Sequence, residues 1–269
     1  SILCLLGAPS TVAAQNPTAA AASAPAAGSR LRVYLEACNC FDQFIRDDPL
    51  AHLRNALLIT ILANEAHARL VFDHGAGGGA NEYTRLKLVG DGINLIVSPD
   101  NSQHNFRVIL AVKGRKPVAY RLLDQKDIST VVEKLNCRDV VINELVSYPA
   151  LAGFLEYLVE FKKDQPDLQY TYITHDYYSI CPSFHLLDHT GNYCGIPEDL
   201  ARCDACLSRN PKAQDGLGAF GYGAESGRMA AWRGKFRSML EVCDRITCFS
   251  NNSRELLLIA YPGLTSPVE

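Results

Sequence analysis

The stretch RLVFDHGAGGGANEY, residues 69–83, decides the fold. Leu70, Val71 and Phe72 form a short apolar run that reads as a strand over Arg69–Asp73, and the run stops at Asp73-His74-Gly75. Gly77, Gly78 and Gly79 follow, and then a segment with helical spacing, Asn81–Leu88. A strand that passes through a glycine turn into a helix opens a βαβ unit. Its glycines let backbone approach a ligand closely, and the helix start turns unpaired N–H groups toward negative charge. A phosphate or a sugar hydroxyl suits such a turn. The spacing matches neither the dinucleotide fingerprint nor the phosphate loop of nucleotide hydrolases. A tight strand-to-helix turn holding no ligand accounts for the same residues.

The same rhythm continues downstream. Further strands are predicted at Ile93–Ser98, Phe106–Val112, Val118–Leu122, Asp139–Asn143, Gln169–Thr174 and Arg245–Phe249. Helices are predicted at Ile128–Leu135, Tyr148–Lys163, Ser226–Val242 and Ser253–Ala260, with Asp127 and Ser253 as N-caps. Phe106 to Leu122, across Gly114-Arg115-Lys116-Pro117, reads as a hairpin inserted between βαβ units. The expectation is a doubly wound α/β fold, with a mostly parallel sheet, helices on both faces and ligands beyond the carboxyl ends of the strands.

Upstream, residues 1–29 are dominated by Ala, Ser, Thr, Pro and Gly and are predicted to be a disordered linker, since they bury too little apolar surface to offset ordering entropy. Residues 30–66 read as a helical lead-in, its main helix starting after Asp47-Asp48-Pro49 and spaced by Leu50, Leu53, Leu57, Leu58, Ile61 and Leu62. The globular domain is placed at 67–262, with 263–269 opening a further linker. Ser1 as the first residue and the Pro262-Gly263 turn near the last predict a piece of a longer chain.

The 269 residues are 48% hydrophobic and 20% charged, which excludes a disordered chain. Against 26 Lys and Arg stand 29 Asp and Glu, a net charge of -3 that gives no basic field for nucleic acid. The apolar runs around Leu57-Leu58-Ile59 fall short of the roughly 20 residues that span a bilayer. Ser1 to Gly7 is apolar but lacks the basic leading segment of a secretory signal. Ten cysteines in a chain with an ordinary core point to a reducing compartment, hence the cytoplasm, and to a metal or free-thiol role for those that cluster.

Two further segments carry chemistry. The strand ending at Thr174 runs into His175-Asp176-Tyr177-Tyr178, which sets an imidazole and a carboxylate at a sheet edge. There the imidazole can take a proton or orient a hydroxyl, with Asp176 as its partner; a strand-end histidine can equally be a satisfied structural residue. Residues 177–210 read as a long loop carrying Cys181, Cys194, Cys203 and Cys206. Four thiolates so spaced could hold a tetrahedral structural zinc, the Cys203/Cys206 pair being the more specific half. Four reduced, partly buried thiols are the alternative, and His185 and His189 are substitute ligands or ordinary polar loop residues. The helix over Ser226–Val242 bears Met229, Trp232, Phe236, Met239 and Leu240 on one stripe and Arg228, Arg233, Lys235 and Arg237 largely elsewhere. The basic residues read as a solvated face, or as a contact for anionic lipid or a pyrophosphate-linked acceptor.

The glycine triplet, His175-Asp176-Tyr177-Tyr178 with Cys181-Pro182, Tyr193-Cys194-Gly195, Cys203-Asp204-Ala205-Cys206 and Phe249-Ser250-Asn251 occur in an order that resembles the family-four retaining glycosyltransferases of bacterial surface polysaccharide assembly. The resemblance covers Ala68 to Pro262 and is to the amino-terminal, acceptor-side half of their two-domain GT-B fold. It implies transfer of a sugar from a nucleotide-sugar donor to a glycan or lipid-linked acceptor, with no metal in the reaction. It implies that Gly77, Gly78 and Gly79, with Asn81, lie near donor phosphates and acceptor. His175, Asp176 and Tyr177 would then face the cleft, which Ser250 also lines. The family's carboxy-terminal donor-binding domain, with its paired glutamates, is missing from these residues. Contact of the basic residues on the Ser226–Val242 helix with anionic lipid would place the chain peripherally at the inner membrane surface. The competing expectation is a noncatalytic, zinc-stapled α/β module that docks a glycan or protein partner.

Overall fold

The computed structural model describes residues 68–74, 77–88, 93–100, 105–112, 117–122, 125–134, 137–220 and 227–269. The linker predicted over 1–29 and the lead-in over 30–66 lie outside these residues. Every apolar run singled out by its β-branched content is a strand: β1 (Ala68–Phe72), β2 (Ile93–Asp100), β3 (Asn105–Val112), β4 (Val118–Leu122), β5 (Asp139–Ile142), β6 (Gln169–Thr174) and β7 (Arg245–Cys248). They form one seven-stranded sheet in the order β4-β3-β2-β1-β5-β6-β7. The strands β2, β1, β5, β6 and β7 run parallel, and β3 and β4 extend one edge antiparallel as the predicted hairpin. The result is a Rossmann-like α/β fold.

The helices are α1 (Gly79–Tyr83), which runs into a π turn over Thr84–Leu88, then α2 (Gln125–Lys134), α3 (Leu151–Asp164), α4 (Leu200–Leu207), α5 (Pro211–Phe220), α6 (Arg228–Glu241) and α7 (Asn251–Ala260). Alternation along the strands sorts side chains to two sides of the sheet. Leu70, Phe72, Val140, Ile142, Tyr170 and Tyr172 join the larger core with Phe154 and Leu158 of α3 and Trp232 and Phe236 of α6. Val71, Val141 and Ile173 face the other way, where Leu88 covers them with Tyr83 and Ile96 at the margin. Each fully buried side chain of this size contributes about 1.5–3 kcal/mol, so the α3/α6 side carries most of the stability. Trp232 has no exposed surface, and its Nε1 donates to the Tyr178 carbonyl at 3.0 Å.

Three sequence expectations are corrected, and one helix is new. Asp127 lies inside the first turn of α2 rather than capping it, because the helix begins at Gln125. Ser250, not Ser253, caps α7: its Oγ accepts from the Ser253 N–H at 3.0 Å. Residues 177–210 are not all loop, since Asp199 caps α4 by accepting from the Ala201 N–H at 2.9 Å. Next to it lies α5, also unforeseen, where Pro211 takes the first position and Asn210 Oδ1 accepts from the Lys212 N–H at 3.1 Å.

The basic residues of α6 are engaged within the chain. Arg228 is buried and donates to the Asp204 carbonyl at 3.1 Å, and Arg233 donates to that of Ile180 at 3.3 Å. Lys235 pairs with Glu156, and Arg237 pairs with Glu241 and donates to the Pro262 carbonyl at 2.7 Å. Asp204 returns the contact by accepting from the Gly227 and Met229 N–H groups at 2.7 and 2.8 Å, so α4 caps the start of α6 from outside it. Among the described residues, no helix is long and apolar enough to cross a membrane.

Candidate functional site

The chain leaves β1 for β2 on one side and later places β5 on the other, so the winding direction reverses between β1 and β5. In a parallel sheet that reversal opens a crevice at the carboxyl edge. The residues just beyond those carboxyl ends are polar except for the exposed Phe249: Asp73 and His74 after β1, Asn143 and Glu144 after β5, His175 and Asp176 after β6, and Ser250 after β7, next to Phe249.

The glycine turn stands at this edge. Gly77 and Gly78 hold φ of +83° and +92°, values that side-chain-bearing residues rarely adopt, so these two glycines are required by conformation. Asn81 does not reach outward: its Oδ1 accepts from the Gly77 N–H at 2.6 Å and its Nδ2 donates to the His74 carbonyl at 2.6 Å. Its role is to staple the turn closed. Asp73 is buried, with Oδ1 accepting from the His74 N–H at 2.8 Å and Oδ2 without a protein partner.

Asn143 links the turn to the histidine. It is fully buried; its Nδ2 donates to the Ala80 carbonyl at 3.1 Å and to Thr84 Oγ1 at 3.0 Å, and its Oδ1 lies 2.7 Å from His175 Nε2. Because the amide nitrogen is spent on two acceptors, Oδ1 is an acceptor and His175 Nε2 must carry the proton. Nδ1 of the neutral ring is then left with its lone pair. Burial pushes the His175 imidazole down to about 4, so the ring is neutral at physiological pH. Tyr83 and Phe249 flank it with ring centroids 5.3 and 4.9 Å away.

The carboxylates beside it are held away from water. Glu144 is pushed well above the usual carboxylate range by burial, and the charges of Asp176 and Asp73 add to the effect, although Oε1 accepts from the Leu145 and Val146 N–H groups at 2.8 and 3.1 Å. Asp176 is also raised by burial, and its Oδ1 accepts from the Tyr178 N–H at 2.8 Å. A group whose pKa is higher folded than unfolded gives stability that is complete below the unfolded value, about 4.3 for Glu, and lost as pH climbs through the folded one. Glu144→Gln, which keeps the acceptor, is therefore expected to remove that loss. In urea melts across pH, wild type should weaken relative to the variant on going from pH 4 to 8; parallel curves would show that Glu144 titrates normally.

The remaining sequence-predicted residues are placed otherwise. Tyr177 packs against the larger core. Ser250 stands at the correct edge, but its hydroxyl is used as the α7 cap. Cys181, Cys194, Cys203 and Cys206, all free thiols, line one cavity of about 330 Å³ away from the strand edge. Burial pushes Cys203 up to about 11 and raises Cys181 too. As placed, no group of three or more His, Cys, Asp or Glu among the described residues already has the geometry of a metal site. Asn143 and Glu144 are two further functional residues of this edge, beyond those expected from the sequence. The available signal was a polar Asn-Glu pair directly after the apolar Val140-Val141-Ile142 run.

No family model, curated protein or solved structure matches the chain.

Proposed function

We propose that this chain is the acceptor-side half of a retaining, family-four-type glycosyltransferase, which moves a sugar from a nucleotide-sugar donor to a glycan or lipid-linked acceptor in polysaccharide synthesis. What carries the reading is the convergence on one sheet edge of the glycine turn and a neutral imidazole, joined through Asn143. In the reaction the bond from the anomeric carbon to the diphosphate breaks, one to the acceptor oxygen forms, and the acceptor's hydroxyl proton leaves with the diphosphate. The acceptor hydroxyl donates a hydrogen bond to His175 Nδ1, which orients its oxygen. The protonated member of the Glu144 and Asp176 pair can donate to a sugar or acceptor oxygen, and the ionised member accepts from a hydroxyl. No carboxylate is assigned as a nucleophile.

The donor nucleotide would sit mainly on a second α/β domain, and the reaction belongs in the cytoplasm or at the inner membrane surface. The four-cysteine loop is a structural, zinc-binding strap in this reading and takes no part in transfer. Saturable binding of a nucleoside diphosphate to the intact gene product, and its release from nucleotide-sugar when acceptor is supplied, are the expected results. An intact product that binds no nucleoside diphosphate in calorimetry would favour the noncatalytic docking module.

A further inference from the structure

The four cysteines come from separated parts of the chain: Cys181 from the turn after β6, Cys194 from a second turn, and Cys203 and Cys206 from consecutive turns of α4. All four nevertheless line the same cavity. A cavity walled by thiols at the protein surface is an unfavourable way to fill space, because it forfeits packing contacts without giving the sulfurs water or strong partners.

Two polar side chains touch the sulfurs, and a third lines the same cavity. Ser183 Oγ is 3.3 Å from Cys181 Sγ, and Asn210 Nδ2 donates to Cys206 Sγ at 3.9 Å. His189 lines the same cavity, and its Nδ1 is buried with no hydrogen-bond partner. A buried polar nitrogen without a partner costs about 1–3 kcal/mol and calls for an explanation. The Asn210 amide aimed at Cys206 suits a thiolate far better than a neutral thiol, which is a weak acceptor. Charge points the same way: Arg202 and Arg209 both line the cavity, so a dianionic cluster formed by four thiolates and a divalent cation would be compensated.

The geometry points to a structural metal site in which Cys181, Cys194, Cys203 and Cys206 hold one zinc ion as four thiolates, with His189 donating to a ligand sulfur. Tetrahedral ligation at about 2.3 Å sets sulfurs roughly 3.8 Å apart, so the thiols must draw in from where they stand. The motion is small, because turning a cysteine between χ1 wells carries its sulfur by roughly 3 Å. Binding exchanges thiol protons for Zn²⁺ with no change of oxidation state, the protons passing to solvent. The ion would tie the turn after β6, at whose start His175 and Asp176 lie, to α4 and through Asp204 to α6.

The site does not depend on the transfer reading, and its test uses different observables. Intact protein purified without added chelator should contain about one zinc per chain by elemental analysis. Cobalt(II) exchanged into it should give the intense visible bands of a tetrahedral ion and a thiolate charge-transfer band. The Cys203→Ser/Cys206→Ser double variant should lose the metal, Cys137→Ser and Cys248→Ser should keep it, and His189→Ala should keep it with affinity lowered about 10–100-fold. Should the double variant fail to fold, thiol titration of wild type decides instead, with about four cysteines becoming reactive only after chelation. A zinc-free protein that gives no tetrahedral cobalt spectrum, or a disulfide between any two of the four, would overturn the proposal. Nucleotide-binding failure with zinc present would remove the transferase and leave the metal site standing.

Discussion

His175→Ala in the intact gene product is expected to lower kcat/KM for sugar transfer by about 10²-fold, the scale on which losing the positioning of a reacting group is felt. Stability should change far less. The ring is half-buried, and its one polar contact among the described residues is to Asn143 Oδ1, so its removal leaves a single buried acceptor unpaired at about 1–3 kcal/mol. The thermal midpoint should fall by only a few degrees. His175→Gln separates the two effects, because a side-chain amide can restore the hydrogen bond to Asn143 but offers no imidazole lone pair. It should recover the midpoint while leaving transfer low. Because burial holds the imidazole down to about 4, the wild-type rate should show no acid limb near the ordinary histidine value of about 6.5. Unchanged kcat/KM in His175→Ala would take this residue out of the site.

The fold was legible because the apolar runs are short, β-branched and separated by segments of helical period, and on that basis all seven strands fall where expected to within two residues. Asp73, His175 and Ser250 were visible as polar residues at strand ends, since an apolar run that stops on a polar group is a simple signal. Asn143 and Glu144 escaped because their importance comes from what they meet across the sheet: Ala80 and Thr84 lie about sixty residues away in sequence, and His175 lies 32 away. Helices α4 and α5 escaped for another reason. They are short, and their weak helix formers, two Cys and an Asp in α4 and an Asp with two Gly in α5, break the helical signal. Tertiary packing overrides that bias: a Cβ on Gly216 of α5 would stand only 3.0 Å from Pro182, so the glycine that weakens the helix lets it lie against the turn after Cys181. Asn81 and Ser250 show the converse limit, since sequence position put them at the right edge but could not show that the local backbone uses their polar atoms.

Asn143→Ala is expected to be the most damaging single change at this edge, because one buried amide holds three partners on two elements. Losing it leaves the His175 Nε2–H without its acceptor and removes the tie from β5 to Thr84 Oγ1 and the Ala80 carbonyl, which keeps only the Thr84 N–H. About 2–4 kcal/mol of stability should go, or a fall of roughly 5–15 °C in the midpoint. Transfer should fall as well, since the imidazole is no longer held in one tautomer. A double-mutant cycle with His175→Ala distinguishes positioning from a merely structural role. If Asn143 acts through the ring, its replacement in the His175→Ala background should cost little further activity, leaving a coupling of about 0.5–3 kcal/mol; independent losses would add. Asn143→Asp supplies a second readout. It keeps an oxygen facing His175 Nε2 but, once ionised, sets a charge about one hydrogen bond away, which favours the imidazolium and raises the histidine pKa. The acid limb of the transfer profile should then move up in pH toward neutrality. A profile that does not move, with stability lost all the same, would confine Asn143 to holding α1 against β5.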